Sequence, residues 1–337
     1  VLRRMTTFQA DSARIAVLKA KMAKEWRNQV LDRPSSQAGG SLIDLLRVDE
    51  REERSLVDLL DAVSPADVDA ALARALASSS GRLFTHGNLT RADADALAEV
   101  AGKHLTFTTT EPVLYSLRSV PRGADVVRDL GLKHNDSALL MAYVSDAATD
   151  DERAGWELLS AVLRTPFFTR LRTEEQLGYV VNASIRRFDL WSGLQIVIQS
   201  SSASPVVLQE RVDVFLRDFD AVIAAMSPEE LAAAKQGVVA RLLEADTQLL
   251  DRTDTLAGDL RRGRVTFDGD EAVAAKVEAL DHAALLAFYR DRVLNDPGRV
   301  VLRSVGLKHD AAGMKPGCAS LACAVKAMGP TRARAIR

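Results

Sequence analysis

The chain has 337 residues, 44 basic against 46 acidic, and a formal net charge of −2, a balance that supplies no electrostatic reason to bind nucleic acid or an anionic membrane surface. Hydrophobic content of 47% and charged content of 27% fit a globular chain with a sizeable core, of about two domains by length. No apolar run approaches the roughly 18 residues that a spanning helix needs.

In chain order, the first segment runs from residue 1 to about 110. Ala13 to Arg27 reads as a helix, followed by a polar break at Asp32-Arg33-Pro34-Ser35-Ser36 and a short helical stretch after Gly39-Gly40. Ser64-Pro65-Ala66-Asp67 starts a helix to about Ala77, because Ser caps, Pro suits the first turn and Asp favours the N-terminal dipole. Ser78-Ser79-Ser80-Gly81 breaks it. Arg82 to Thr85 reads as a strand, and His86-Gly87-Asn88 turns into a helix from Thr90 to His104.

The second segment starts near Pro112. Val113 to Val120 is a loosely alternating strand. In Ser137 to Ser145, Leu139, Met141 and Tyr143 share one face and Leu140, Ala142 and Val144 the other, which predicts a central strand covered on both sides. A helix follows over Asp151 to Leu163. Tyr179 to Arg187 and Gly193 to Ser200 read as paired strands around Phe188-Asp189-Leu190-Trp191-Ser192. Ser204-Pro205 opens a helix whose Leu208, Val212, Phe215 and Phe219 form a sheet-facing stripe. Ser227-Pro228 opens another, with Val238 and Leu242 inward. Helices over Thr253 to Arg262, Asp270 to Ala279 and His282 to Val293 precede a last strand, Arg299 to Val305. From Gly306 onward no period is visible, and a loosely ordered tail is expected there. Cys318 and Cys323 stand close enough in the chain to pair, but staple no core. Strands pairing as neighbours, with helices packed on them, make the expected fold class α+β.

No histidine among His86, His104, His134, His282 and His309 stands three or four residues from another, so no helix offers two imidazoles on one face. No G-x-S-x-G and no glycine-rich phosphate loop occurs. Glu52-Glu53 and Glu174-Glu175 read as solvated helix faces.

The most informative run is Pro166 to Val181, PFFTRLRTEEQLGYVV. Thr165-Pro166 predicts a short helix. Thr173 with Gln176 has capping-box spacing for a second, and Gly178 is the expected stop. Arg172 and Tyr179 are the candidate functional side chains, since a guanidinium donates several hydrogen bonds in a plane and a phenol donates one to a developing oxyanion. The plain alternative is a helix end with Arg172 solvated and Tyr179 packed on the sheet.

This run resembles a signature of the pitrilysin/insulinase metallopeptidases. Arg33-Pro34 with Gln37, His86-Gly87-Asn88-Leu89-Thr90, Asn135-Asp136-Ser137-Ala138, Ile198-Gln199-Ser200 and Phe267-Asp268 resemble further family segments in order, covering about residues 5 to 305. The resemblance implies homologous α+β domains, each an antiparallel-rich sheet with helices: part of a third domain at 1–110, a fourth, substrate-binding domain at 111–305, and a tail at 306–337. It implies that Arg172 binds a substrate backbone carbonyl, that Tyr179 holds the substrate or stabilises the oxyanion, and that Phe168 lines a side-chain pocket. In that family an N-terminal half carries zinc on H-x-x-E-H and a distal Glu, and the C-terminal half closes a chamber over a peptide substrate. This chain has no such motif. The expectation is a C-terminal half with no metal of its own, the zinc being held by an N-terminal partner half, in the same polypeptide or as a separate subunit. A non-catalytic scaffold or peptide-binding subunit of the same fold is the alternative. The opening at Val1, without Met or an apolar leader, is expected of a fragment, a processed chain or a non-standard start. The resemblance favours the periplasm, with the cytoplasm left open.

Overall fold

A computed structural model describes residues 2–48, 52–77, 83–107, 113–145, 149–188, 191–295 and 297–335. The helices before the sheet are α1 (Leu2–Thr6), α2 (Ser12–Asn28), α3 (Pro34–Leu46), α4 (Val57–Leu60), α5 (Pro65–Ala77) and α6 (Arg91–His104). Strands β1 (Val113–Arg118), β2 (Asp125–Asp129) and β3 (Ser137–Val144) lead to α7 (Asp150–Phe168), then to β4 (Val180–Phe188) and β5 (Trp191–Ser200). Next come α8 (Pro205–Ala224), α9 (Pro228–Leu242), α10 (Leu249–Arg261), α11 (Gly269–Ala279) and α12 (His282–Tyr289). Strand β6 (Arg299–Ser304), α13 (Leu321–Lys326) and β7 (Thr331–Ala335) complete the order.

The architecture is α+β, built on one mixed sheet in the order β2-β6-β3-β5-β4. β3 pairs antiparallel with β5 and β6, and β4 with β5, while β2 lies parallel to β6. The alternation read in β3 is realised on both faces. Leu139, Met141 and Tyr143 join Leu194, Ile196 and Ile198 in a core with α7, α8, α11 and α12. Leu140 and Ala142 join Val197, Val300 and Leu302 under α3. Leu208, Val212, Phe215 and Phe219 are buried on the sheet as their spacing predicted. The capping box of Ser227 with Glu230 and the N-cap Thr90 with Asp93 are both formed.

Four expectations give way. The polar break at 32–36 is instead the start of α3, with Pro34 in the first turn and Gly39-Gly40 inside the helix. Burial of Ala38, Leu42, Leu45 and Leu46 against the sheet offsets the roughly 1 kcal/mol that each interior glycine costs. Leu83 to Thr85 form no strand. Among the described residues before 113, helices are the regular elements, and α3 covers one face of the five-stranded sheet. Pro166 lies inside α7 rather than starting a helix. Leu163, Phe167 and Leu171, all fully buried, hold that helix continuous through the proline. Finally, the residues after Gly306 carry α13 and β7. β7 pairs antiparallel with β1, Ala324 is buried in the α3-side core, and a Cys318–Cys323 disulfide ties α13 to the residues before it. Such short elements depend on distant partners, so no local period announces them. Ser78-Ser79-Ser80-Gly81, Arg82, Pro112 and Asp189-Leu190 lie outside the described residues.

Among the described residues no helix is long and apolar enough to cross a membrane. Gly193 marks the tightest approach in the sheet: a Cβ there would sit 2.0 Å from the Tyr143 carbonyl oxygen of β3. Gly193→Ala therefore should destabilise the fold by about 1–3 kcal/mol, read as a lower urea midpoint at unchanged m-value. An unchanged midpoint would refute the close β3–β5 packing described at Gly193.

Candidate functional site

The end of α7 does not stop at a normal helical turn. Residues Thr169–Glu174 widen into a π turn, closed by Glu175 N–H donating to the Arg170 carbonyl at 2.9 Å. No second helix starts at Thr173. The chain reverses at Gln176, which adopts φ 52°, and Leu177 N–H returns to the Leu171 carbonyl at 3.0 Å. Gly178 is thus not the left-handed stop. Its lack of a side chain serves a different need: a Cβ there would lie 2.3 Å from the Gln199 carbonyl oxygen.

A charged clamp holds this wide turn. Glu175 accepts from Arg211 Nε and Nη2, each at 2.7 Å, and from Arg170 Nε at 3.2 Å, while Arg170 Nη1 reaches Asp218 at 2.8 Å. The guanidinium of Arg211, with burial opposing, holds the Glu175 carboxyl below its usual range. Glu175 is therefore a structural ion-pair partner and not the solvated carboxylate expected. Glu52, likewise, pairs with the buried Arg128. The clamp consumes Arg170 and leaves Arg172: among the described residues no hydrogen bond or ion pair engages its guanidinium. Phe168, four residues earlier, is 49% exposed.

Tyr179 leaves the turn in extended conformation just before β4, its N–H donating to the Gln199 carbonyl at 3.1 Å. Its ring is 49% exposed, but its hydroxyl is engaged. The phenol donates to Asp136 Oδ2 at 2.6 Å. Gln199 Nε2 donates to the phenol oxygen and, at 3.2 Å, to the same Asp136 oxygen. Gln199 Oε1 in turn accepts from Ser35 N–H at 3.1 Å, in the first turn of α3. Segments noted separately in the sequence, around Arg33-Pro34, Asp136, Tyr179 and Gln199, thus meet in one hydrogen-bonded corner. Asp136 and Gln199 were visible only as parts of matching segments, because nothing local assigns a role to a side chain whose partners are this distant. No hydrogen bond links Arg172 to Tyr179.

Burial acts to raise the Asp136 carboxyl, but hydrogen bonds from Tyr179 and Gln199, with the nearby His134 and His309, outweigh it and hold the group below its ordinary value. For Tyr179, burial first and then the adjacent Asp136 push the phenol up. The signs follow. Asp136 contributes stability above the ordinary aspartate range and loses it as pH falls through its depressed value. Tyr179 contributes below the ordinary phenol range and loses it as pH rises through its raised value. At neutral pH both contributions stand, so Asp136→Asn should cost about 1–3 kcal/mol there. The gap from wild type should narrow in acid, below the ordinary aspartate range. Urea unfolding at the two pH values measures it, and a gap independent of pH would contradict the assignment.

Among the described residues, no group of three or more His, Cys, Asp or Glu side chains could hold a metal ion. His86 Nδ1 lies 2.8 Å from the Thr253 hydroxyl, and His309 Nδ1 lies 2.6 Å from the Ser137 hydroxyl.

Residues 158–257 match the family model described as PQQ synthase PqqF-like, C-terminal lobe domain 4. Protease 3 of Escherichia coli K12 is 26% identical over 295 residues, covering 85% of this chain and 30% of that protein. Human insulin-degrading enzyme is 25% identical over 307 residues, covering 89% of this chain and 30% of that protein. The crystal structure of pitrilysin superposes with a TM-score of 0.82 at 23% identity, over 97% of this chain and 36% of that one. The chain thus spans about a third of these three relatives. By sequence and by fold, it is a homologue of the C-terminal half of the pitrilysin/insulinase-family peptidases.

Proposed function

We propose that this chain is the substrate-binding, chamber-closing C-terminal half of a zinc-dependent metalloendopeptidase. Residues 1–110 represent part of the third domain and 111–305 the fourth. The donor set among the described residues does not suit zinc, so the metal belongs to the N-terminal half, attached or separate. This chain's own residues bind and orient the peptide. Arg172 donates to a substrate backbone carbonyl, Phe168 lines a side-chain pocket, and Tyr179 holds the substrate near the reacting bond. The observation that carries the reading is Arg172. A half-buried guanidinium left unengaged, beside an arginine that is fully clamped, is a donor set aside for something outside this chain.

One observation favours the second reading, a peptide-binding or scaffold subunit that does not take part in cleavage. The single phenol proton of Tyr179 is already given to Asp136. A direct contribution to the oxyanion requires that proton to be turned toward it.

The test mixes this chain with a zinc-bearing N-terminal half of the family and follows cleavage of a quenched fluorescent peptide. Activity above that of the N-terminal half alone is expected. No gain would overturn the proposal in favour of the scaffold. In the active mixture, Arg172→Ala should raise KM roughly 10–100-fold, the worth of a charge-assisted hydrogen bond. The oxyanion task has its own signature, a fall in kcat of roughly 10²–10³ for Tyr179→Phe. A loss confined to KM assigns Tyr179 to holding the substrate.

A further inference from the structure

After β6 the chain returns across the α3 side of the sheet as a strap, anchored in turn to β2, α3 and β1. At the first anchor it lies along the free edge of β2. Cys318 N–H donates to the Val127 carbonyl and Asp129 N–H to the Cys318 carbonyl, each at 2.9 Å. Asp129 accepts from Gly317 N–H at 2.6 Å and from Arg303 Nε at 2.8 Å, and Arg303 Nη2 donates to the Lys315 carbonyl at 2.8 Å. At the second anchor, α13 lays the buried Ala324, with Leu321, Val325 and Met328, into the core under α3. At the third, β7 pairs with β1, Gly329 N–H donates to the Ser119 carbonyl at 2.8 Å, and Ser119 N–H donates to the Pro330 carbonyl at 3.2 Å. The strap reaches α3 by β1 as well. Arg118 of β1 donates to the Asp44, Leu45 and Arg47 carbonyls, where α3 ends and its last carbonyls lack helical partners.

The Cys318–Cys323 disulfide joins the first anchor to the second. Cys323 stands in the first turn of α13, its N–H on the Ser320 hydroxyl at 3.2 Å. A helix of 6 residues does not hold itself together in water, so α13 depends on its packing and on this covalent tie. Cys323 is exposed, whereas Cys318 is half-buried against the α3-side core. An attacking thiolate therefore meets Cys323 first. We propose that this disulfide is a thiol–disulfide exchange site, open to a small dithiol in the folded protein, and that its state sets how firmly the strap holds α3 on the sheet. The thiolate attacks the Cys323 sulfur, the Cys318–Cys323 bond breaks, and its electron pair leaves on Cys318, which takes up a proton. The second thiol of the reductant then attacks the mixed disulfide, closes its own ring and releases Cys323 as a thiol. Two electrons and two protons pass to the protein, and the dithiol becomes a cyclic disulfide. With the tie open, α13 keeps only its packing. The loosening passes to α3, whose first turn gives the Ser35 N–H to Gln199.

Dithiothreitol followed by iodoacetamide, applied to the folded chain and read by mass spectrometry, tests access. Both cysteines should be alkylated without denaturant. Alkylation only after unfolding in urea would overturn the exchange site. Amide hydrogen exchange of the oxidised and reduced chains tests the consequence. On reduction, amides of α13 and β7 should exchange roughly 10–40-fold faster, the loop-closure entropy of so short a loop, while those of α8, on the other face of the sheet, stay as they were. Amides of α3 should also exchange faster. Unchanged exchange in α13 and β7 would overturn the hold on the strap, and unchanged exchange in α3 would overturn its coupling to the sheet. Acceleration that includes α8 equally would overturn both, since it marks a loosening of the whole domain. The double variant Cys318→Ser with Cys323→Ser, measured without reductant, should show the reduced pattern, and the oxidised pattern there would overturn the role of the disulfide. If that variant fails to fold, the reduced wild-type chain carries the same comparison.

Discussion

A buried amide at the end of β5 organises the region that matters. Gln199 sits where the central sheet, covered on both faces, runs out under the first turn of α3. Its side chain has no access to water, and each of its polar atoms must find a protein partner. It finds the orphan N–H of Ser35 on one side and Asp136 with Tyr179 on the other. One residue therefore fixes where α3 begins, how the entry to β3 lies, and which way the Tyr179 hydroxyl points. The backbone makes the same connection, since Tyr179 N–H donates to the Gln199 carbonyl and Gly178 is bare so that this approach is open.

The second constraint is the wide turn after α7. A proline inside that helix removes a backbone donor and would ordinarily end it. Here the apolar side chains around it are too deeply buried for the helix to stop, and the strain is taken up by a π turn and a left-handed Gln176. Strain of this kind persists where surroundings over-determine it. The Arg211–Glu175–Arg170–Asp218 chain is that surrounding on the polar side. Its effect is selective: one arginine of the turn, Arg170, is held in the clamp, and Arg172 stands outside it.

The matched segments gain physical content from this geometry. Arg33-Pro34 is the entry to α3, Asp136 the acceptor of the phenol, Gln199 its donor, and the Gly-Tyr pair the point of close approach. They are spread over about half the chain, yet they describe one hydrogen-bonded corner. His86-Gly87 belongs to a different contact, where the imidazole meets Thr253 of α10 and Phe84 lies against Phe267.

The sequence alone determined what depends on short-range order. Alternation in Ser137–Val144 predicted a strand buried on both faces, the stripe from Leu208 to Phe219 predicted a helix on a sheet, and Ser-Pro starts located α5, α8 and α9, because periodicity and capping act within a turn or two of the chain. It also singled out Phe168, Arg172 and Tyr179 by residue type and resemblance. The tertiary structure decided everything whose energy is paid at a distance. Burial on the sheet carried α3 through two glycines and α7 through Pro166. β7 formed because β1 was there to pair with it. The direction of the Tyr179 proton was set by Asp136, 43 residues away, and by Gln199, 20 away. A hydroxyl rotates freely until a partner fixes it, so its role is legible only once the chain has folded around it.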